Sequence, residues 1–153
     1  MENREIKILI FSINNQYYAT DIMEVERILG YEIPTNLPDS PEFVEGVINY
    51  QGDILPIISI AKKFNINDIK DKKDSKIIVI KEEENKMGII VDVVSEVSDV
   101  NLKNIEEPPE IVSGISKRYI KGLIKLEKKI IIFLNLTKIL TDKEKRKFLV
   151  RGL

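Results

Sequence analysis

Two segments of this sequence are copies of one another, and their spacing limits the folds available to the chain. Residues 43–64 (FVEGVINYQGDILPIISIAKKF) recur as residues 119–140 (YIKGLIKLEKKIIIFLNLTKIL) without a gap, which aligns Gly46 with Gly122, 76 positions further on. Almost every apolar position of the first segment is apolar in the second. Repetition at a fixed offset indicates two copies of one structural unit.

The segments that precede these copies also repeat, at a smaller offset. Residues 7–22 read as two strands joined by a turn at Asn14–Gln16. Residues 77–97 echo this hairpin and the next few residues of the chain, and they align Val25 with Val94, 69 positions further on. The second copy therefore carries seven extra residues before its central segment, which we expect in a surface loop.

Three local signals refine this interpretation. Pro56 lies inside an apolar run, and because proline cannot donate to a strand ladder we expect an edge strand or a bulge there. Residues 21–29 fit either a turn of helix or a bent strand. Thr141 followed by Glu144 matches a capping box, which predicts a C-terminal helix in residues 141–153.

Short strands, a twofold repeat and little helix predict an all-β protein, mainly β with short helices, in which two small β-barrels pack together. We expect residues 1–153 to form a single domain, with the first barrel at about residues 12–76 and the second at about residues 77–140. Strand exchange between the two barrels is allowed by this division. Barrel closure would hide the sheet edges that such apolar strands otherwise expose.

The residue types that the chain lacks argue against an enzyme. There is no cysteine and no histidine, which removes thiolate nucleophiles, zinc–sulfur sites and the side chain most often used as an acid or base near neutral pH. Neighbouring carboxylates, such as Asp92 with Glu96 or Glu24 with Glu26, are more typical of solvated surface acids. We therefore predict no catalysis, no cofactor and no metal.

Charge and hydropathy limit the partners. The 24 basic and 25 acidic residues are interspersed and give a net charge of −1, so the chain has no general attraction for nucleic acid. The alternative function is oligonucleotide binding by a small barrel, which requires a basic groove with exposed aromatic residues.

No apolar run approaches the ~20 residues of a membrane-spanning helix, and the start has no signal core, so we expect a cytoplasmic protein without membrane insertion.

The first copy also carries a recognisable motif. The segment GVINYQGDILPIISI, residues 46–60, resembles the signature of CheW-type chemotaxis adaptors, which is close to G-V-x-N-x-R-G-x-[IV]-x-P-[IV]-[IV]-D-L. The surrounding order is similar as well, from an FxI strand and Tyr18 near the start to Gly88 and Tyr119 in the second half. The resemblance covers nearly the whole chain, from about residue 8 to residue 140.

This resemblance implies two five-stranded SH3-like barrels related by a pseudo-twofold axis. It also implies a non-enzymatic adaptor, or scaffold, that couples the cytoplasmic tips of methyl-accepting chemoreceptors to the histidine kinase CheA. Such adaptors use one barrel to meet the regulatory domain of CheA, and a groove near the junction of the barrels to hold the receptor hairpin. The resemblance places the protein in the cytoplasm, recruited to membrane-associated chemoreceptor arrays.

Position by position, the resemblance implies a surface that contacts receptor and kinase. Helix-in-groove docking needs an apolar strip and small residues that permit close approach. The residues carried over are Val25, Arg27, Gly46, Asn49, Gln51, Gly52, Val94 and Val97. Turn chemistry alone offers a simpler role for residues 49–52, in which Gly52 supplies the positive φ of a tight hairpin.

Three positions depart from the family pattern. Gln51 stands where the family has arginine, Ser59 where it has aspartate, and Arg27 where it has glutamate. Glutamine at position 51 lacks the planar, permanently charged fork that pairs with a carboxylate. We therefore predict that this position helps to set the choice of partner.

Overall fold

Strands dominate this protein. The structure, a computed structural model, describes residues 4–66, 71–109 and 116–145, and within these ranges it contains eleven strands, three one-turn α-helices and three 3-10 turns. The strands are β1 (Glu5–Ile13), β2 (Gln16–Asp21), β3 (Val25–Gly30), β4 (Val44–Tyr50), β5 (Asp53–Ser59), β6 (Lys76–Glu82), β7 (Asn85–Val91), β8 (Val93–Asn101), β9 (Ile105–Glu106), β10 (Ile120–Leu126) and β11 (Lys129–Leu134). The helices are α1 (Ile60–Lys63), α2 (Ser116–Tyr119) and α3 (Asp142–Lys145). The rest of the predicted C-terminal helix, residues 146–153, lies outside the described residues.

The strands form two sheets, and each sheet takes strands from both copies of the repeat. One sheet has the order β8-β1-β2-β11-β10-β9, and the other has the order β3-β6-β7-β5-β4. The hairpin β1–β2 of the first copy thus joins the strands of the second copy, and the hairpin β6–β7 does the reverse. A boundary at residue 76 therefore does not coincide with a boundary between the sheets.

Equivalent strand pairs have equivalent registers. Gly46 lies opposite Ile57 in the pair β4–β5, and Gly122 lies opposite Phe133 in the pair β10–β11. Both pairs also contain a bulge immediately before the glycine. Since a slip of one residue would turn every side chain to the opposite face of its sheet, this agreement confirms the internal repeat.

Three apolar clusters hold the sheets together. The five-stranded sheet encloses Ile48, Tyr50, Leu55, Ile57, Ile77, Val79 and Ile90. The six-stranded sheet encloses Ile8, Ile10, Ala19, Val100, Ile124, Ile131 and Phe133. The third cluster, called here the inter-barrel core, is the largest and takes much of its volume from the two exchanged hairpins; it includes Leu9, Phe11, Ile13, Tyr18, Ile78, Ile80, Met87, Ile89 and Val91.

Side chains bring the two ends of each sheet together. The hydroxyl of Tyr50 in β4 donates to the carboxylate of Glu26 in β3 at 2.6 Å, and these are the end strands of the five-stranded sheet. In the other sheet, Val100 of β8 and Ile105 of β9 pack against the same cluster. Each sheet therefore curls around its own core, and the predicted class of two related β-barrels is confirmed; the sixth strand is the two-residue β9.

The expectation that Pro56 marks an edge strand or a bulge is wrong. Strand β5 lies between β7 and β4, and Pro56 pairs with Val47 in a regular stretch of the ladder. Val47 exchanges its backbone hydrogen bonds with Thr35 instead, at 2.8 and 2.9 Å, and the parallel pairing of β5 with β7 begins only at Ile57. Proline fits this interior strand because no neighbouring strand takes an N–H from position 56.

Residues 21–29 contain both of the structures that their sequence allows. Ile22–Glu24 form a single 3-10 turn, capped by the Asp21 carboxylate, which accepts from the Met23 N–H at 2.9 Å. Strand β3 follows at once, with a bulge between Val25 and Arg27. The spacing of three between the apolar residues Ile22, Val25 and Ile28 therefore reflects a turn followed by a bent strand.

The predicted capping box is present at the start of α3. The Thr141 hydroxyl accepts from the Glu144 N–H at 3.1 Å, and the Glu144 carboxylate accepts from the Thr141 N–H at 2.8 Å. Lys63 donates to both carboxylate oxygens at 3.0 Å, which ties α3 to α1. Burial alone would raise the pKa of Glu144, but these hydrogen bonds outweigh it and lower the pKa.

We expect Glu144→Gln to remove a pH-dependent part of the stability. Because the pKa of Glu144 is lower in the folded state than its ordinary value of 4.5, its contribution is present above about that pH and is lost as the pH falls through the folded pKa. At pH 7 the substitution should lower the free energy of unfolding by up to about 1 kcal/mol, because glutamine keeps the capping hydrogen bond but loses the charge paired with Lys63. Urea unfolding followed by circular dichroism measures this.

The same measurement at about pH 3 should give a smaller difference between the two proteins, because the contribution of the Glu144 carboxylate diminishes below its ordinary pKa of 4.5. Glu107→Gln is the control, since Glu107 is an exposed acid in the loop after β9, and this variant should match the unaltered protein at pH 7. An equal loss for Glu144→Gln at both pH values would contradict the prediction.

Candidate protein-docking surface

Val25 and Val94 occupy equivalent positions at the junction of the barrels. Val25 lies opposite Ile80 and Val94 lies opposite Phe11, and both partners belong to the inter-barrel core, against which the two valines are partly buried. Val97 follows on the same face of β8 and is 50% exposed. The structure thus brings the predicted apolar residues of both copies to the margin of one core.

The strands that carry these valines are end strands. Strands β3 and β8 each have a strand partner on one side only among the described residues, so their outer edges are open. Ile28, which aligns with Val97, is also exposed. We call Val25, Ile28, Val94 and Val97 the junction strip. Apolar side chains beside an open strand edge are features of a protein-docking surface.

A second group of predicted residues forms the turn between β4 and β5. Gln51 and Gly52 both have positive φ, at +52° and +85°, which is the conformation of a two-residue type I′ hairpin turn. The Asn49 side-chain oxygen accepts from the Gly52 N–H at 3.1 Å. Gly52 therefore has the role that turn chemistry predicts, and the Gln51 side chain is exposed at the tip.

A buried tyrosine fixes this turn beside β3. Tyr50 is 6% exposed, and the Glu26 carboxylate that accepts its hydroxyl also pairs with Lys86 at 3.1 Å. The hydrogen bond from Tyr50 and the contact with Lys86 lower the pKa of Glu26, while burial and the same hydrogen bond raise the pKa of Tyr50. Arg27 and Gln51, the chain neighbours of this pair, are consequently held at one end of the five-stranded barrel.

Gly46 is separate from both groups because it is buried. Its φ is +138°, and a Cβ there would lie 2.1 Å from the carbonyl oxygen of Thr35. Gly122 is restricted less severely, since a Cβ there would lie 2.8 Å from the carbonyl oxygen of Glu106. The contact predicted between Gly46 and a partner stays a prediction, and the fold supplies an independent reason for a glycine at this position.

Sequence reasoning missed Ile54, which lies opposite Asn49 in the pair β4–β5. Leu55 and Ile57 pack inside the five-stranded barrel, so Ile54 points outward, where it is 67% exposed. Its sequence could have indicated this role, because Ile54 is an apolar residue at an outward position next to a tight turn. The aligned residue Ile130 has the same features. We call Arg27, Asn49, Gln51, Gly52 and Ile54 the tip surface.

The carboxylates that could have formed a catalytic pair have structural partners. Glu24 accepts from the Thr20 hydroxyl at 3.2 Å and from Lys121 at 3.4 Å. Asp92 accepts from the Asn14 N–H at 2.6 Å. Within the described ranges, no three His, Cys, Asp or Glu residues are grouped so as to hold a metal ion, and no helix is long and apolar enough to cross a membrane.

The structure accounts for one departure from the family pattern. Ser59 is buried and caps α1, because its hydroxyl accepts from the Lys62 N–H at 3.1 Å. Serine and aspartate are both good N-caps, so serine preserves the local structure. Arg27 and Gln51 are instead exposed at the tip surface. These two departures therefore change the charge of that surface.

Comparisons with known proteins agree with this geometry. The family model of the CheW-like domain matches residues 7–144. The chemotaxis protein CheW of Klebsiella aerogenes is 32% identical over 138 residues, covering 90% of this chain and 83% of that protein. CheW of Treponema pallidum is 27% identical over 151 residues, covering 96% of this chain and 89% of that protein. The crystal structure of the scaffolding protein TtCheW from Thermoanaerobacter tengcongensis matches with a TM-score of 0.85 and 35% identity, covering 95% of this chain and 99% of that one.

Gly46→Ala should destabilise the protein, because the added methyl group meets the Thr35 backbone and the positive φ strains any L side chain. We expect the free energy of unfolding to fall by roughly 2–4 kcal/mol, measured by urea denaturation. Gly30→Ala is the control, since a Cβ there meets nothing within 4 Å, and it should change stability by at most about 1 kcal/mol. Equal stability of the two variants would mean that the fold does not require glycine at position 46.

Proposed function

Because the chain belongs to the CheW-like domain family, whose members are non-enzymatic adaptors in chemotaxis, we propose that it couples methyl-accepting chemoreceptors to the histidine kinase CheA. The observation that carries this proposal is the presence of two separate exposed surfaces, the junction strip and the tip surface, on barrels that share an apolar core. An adaptor must hold two partners at the same time, and the junction strip and the tip surface do not share residues. The protein would do this in the cytoplasm, at membrane-associated receptor arrays.

The junction strip suits the helical hairpin at a receptor tip. A helix docks by laying an apolar face into a groove, with anchors spaced along one side. Val25 and Val94 line the margin of the inter-barrel core, and Val97 extends the apolar surface outward along β8. These residues offer apolar contact without buried charge, which favours an uncharged face of the receptor hairpin.

The tip surface suits the regulatory domain of the kinase. Protein interfaces commonly combine an apolar anchor with a polar rim. Ile54 would supply the anchor, and Arg27, Asn49 and Gln51, which are also exposed, would supply the polar rim. Since Gln51 carries no charge, the facing position on this kinase need not be a carboxylate, and Arg27 is the cation available there instead.

Pairing of the basic side chains argues against the oligonucleotide-binding alternative. A groove for nucleic acid needs cations that are free to meet phosphates. Six lysines in the described part of the chain already form ion pairs: Lys7–Asp99, Lys62–Glu45, Lys63–Glu144, Lys86–Glu26, Lys121–Glu24 and Lys125–Glu106. The adaptor function therefore explains the surface better.

Two charge insertions test the proposed coupling, and each serves as the control for the other. Val97→Glu should weaken binding to a receptor cytoplasmic hairpin by about tenfold and leave binding to the kinase regulatory domain unchanged. Ile54→Glu should do the opposite. Both positions are exposed, so the melting temperature should stay close to that of the unaltered protein. Isothermal titration with the purified partners from the same organism measures both interactions.

The outcomes separate the elements of the proposal. Binding of neither partner to the folded, unaltered protein would reject the coupling function. If each variant lost the same affinity for both partners, the hypothesis that the partners bind separate surfaces would be rejected. Gln51→Arg should change the affinity for the kinase domain alone, and unchanged binding of both partners in that variant would show that position 51 does not set partner choice.

A further inference from the structure

The two barrels differ at one end, although their registers are equivalent. In the five-stranded barrel, the ring of Tyr50 fills this end, its hydroxyl donates to Glu26, and Lys86 lies 5.5 Å from the ring centre. The repeat aligns Tyr50 with Leu126 and Glu26 with Ser95. The six-stranded barrel therefore lacks both the ring and the carboxylate at the positions that close its counterpart.

A cavity of about 260 Å³ occupies the corresponding end of the six-stranded barrel. Its floor is apolar and includes Ile10 and Ile131, which are buried in the core of that barrel. Tyr17 and Leu126 form half-buried walls, and the rim is polar and includes Ser98 and Glu96. An apolar floor with a few polar groups at the opening is the usual composition of a binding pocket.

We propose that this cavity is a docking pocket for a tyrosine side chain of a partner protein, which takes the place that Tyr50 takes within the five-stranded barrel. The inference goes beyond the coupling function and does not depend on it. The internal copy indicates the occupant, because Ile10 and Ile131 align with Val79 and Leu55, and these two residues pack with Tyr50 in one cluster. The same kind of floor thus already receives a phenol ring elsewhere in this molecule.

The rim can satisfy the hydroxyl of such a tyrosine. Glu96 accepts from the Ser98 hydroxyl at 3.2 Å, and a carboxylate has room for further donors. Glu96 would thus replace Glu26 as the acceptor. Lys129 already lies 4.5 Å from the centre of the Tyr17 ring, so the place above that ring is taken by a cation, which favours an uncharged aromatic group over a second cation in the pocket.

Displacement of water provides the driving force. The cavity opens to solvent at its rim, so water covers the apolar floor when the pocket is empty. A ring that covers Ile10, Ile131 and Leu126 removes this apolar surface from water, and aromatic groups contribute a large area for little loss of side-chain freedom. A leucine or valine side chain would cover less of the floor and would leave Glu96 without a new donor.

The probe for this proposal is the peptide N-acetyl-Gly-Tyr-Gly-amide, titrated into the full chain and followed by the methyl NMR signals of Ile10, Leu126 and Ile131. We expect saturable shifts at these three residues. Leu126→Tyr should weaken binding of the peptide by about tenfold or more, because its own ring fills the cavity. The matching peptide with phenylalanine should bind more weakly than the tyrosine peptide, since it has no hydroxyl for Glu96.

Two further variants make the result decisive. Ser98→Leu introduces the residue found at the aligned position, Leu29. It should also fill the cavity and weaken binding of the peptide, and it replaces Leu126→Tyr as the test if that variant does not fold. Ile130→Ser is the control, because Ile130 is exposed on the outside of the same barrel, and it should bind the peptide as the unaltered protein does. Absence of a saturable shift in the unaltered protein would overturn the proposal. So would a folded Leu126→Tyr or Ser98→Leu variant that binds the peptide as tightly as the unaltered protein does.

Discussion

The exchange of hairpins between the two copies is the constraint on which the other features depend. Strand β1 needs β8 as a partner, and β6 needs β3, so neither copy can complete a sheet from its own strands. The outer faces of the two hairpins meet in the inter-barrel core. The barrels are therefore joined by a common interior as well as by the chain.

The proposed function depends on the surfaces that this constraint leaves exposed. An exchanged hairpin covers one edge of β3 and of β8 and leaves the other edge open, with Val25 and Val94 at the margin of the shared core. The tip surface depends on a different device, the hydrogen bond between Tyr50 and Glu26, which closes the five-stranded barrel at that end. The two surfaces are thus built from separate structural elements, and a substitution in one need not disturb the other.

Much of the fold could be predicted from the sequence because the repeated residues are the ones whose spacing determines strand register. The alignment of Gly46 with Gly122 predicted equivalent hairpins, and Thr141 with Glu144 predicted a cap, because both depend on neighbours along the chain. Pro56 was misjudged because the tolerance of an interior strand for proline depends on Thr35, which pairs on the far side of Val47. Ile54 and the bond from Tyr50 to Glu26 depend likewise on contacts between strands, which spacing alone does not reveal.

The order in which the strands are made adds a consequence for biosynthesis. The hairpin β1–β2 leaves the ribosome before its partners β8 and β11, which lie far downstream, so its apolar faces and open edges stay uncovered until those strands are synthesised. Nascent hairpins of this kind are prone to wrong association until their partners arrive.

The exchange also links the evolution of the two copies. A gene rearrangement that separated the first copy from the second would remove one hairpin from each barrel, so it would not yield two complete modules.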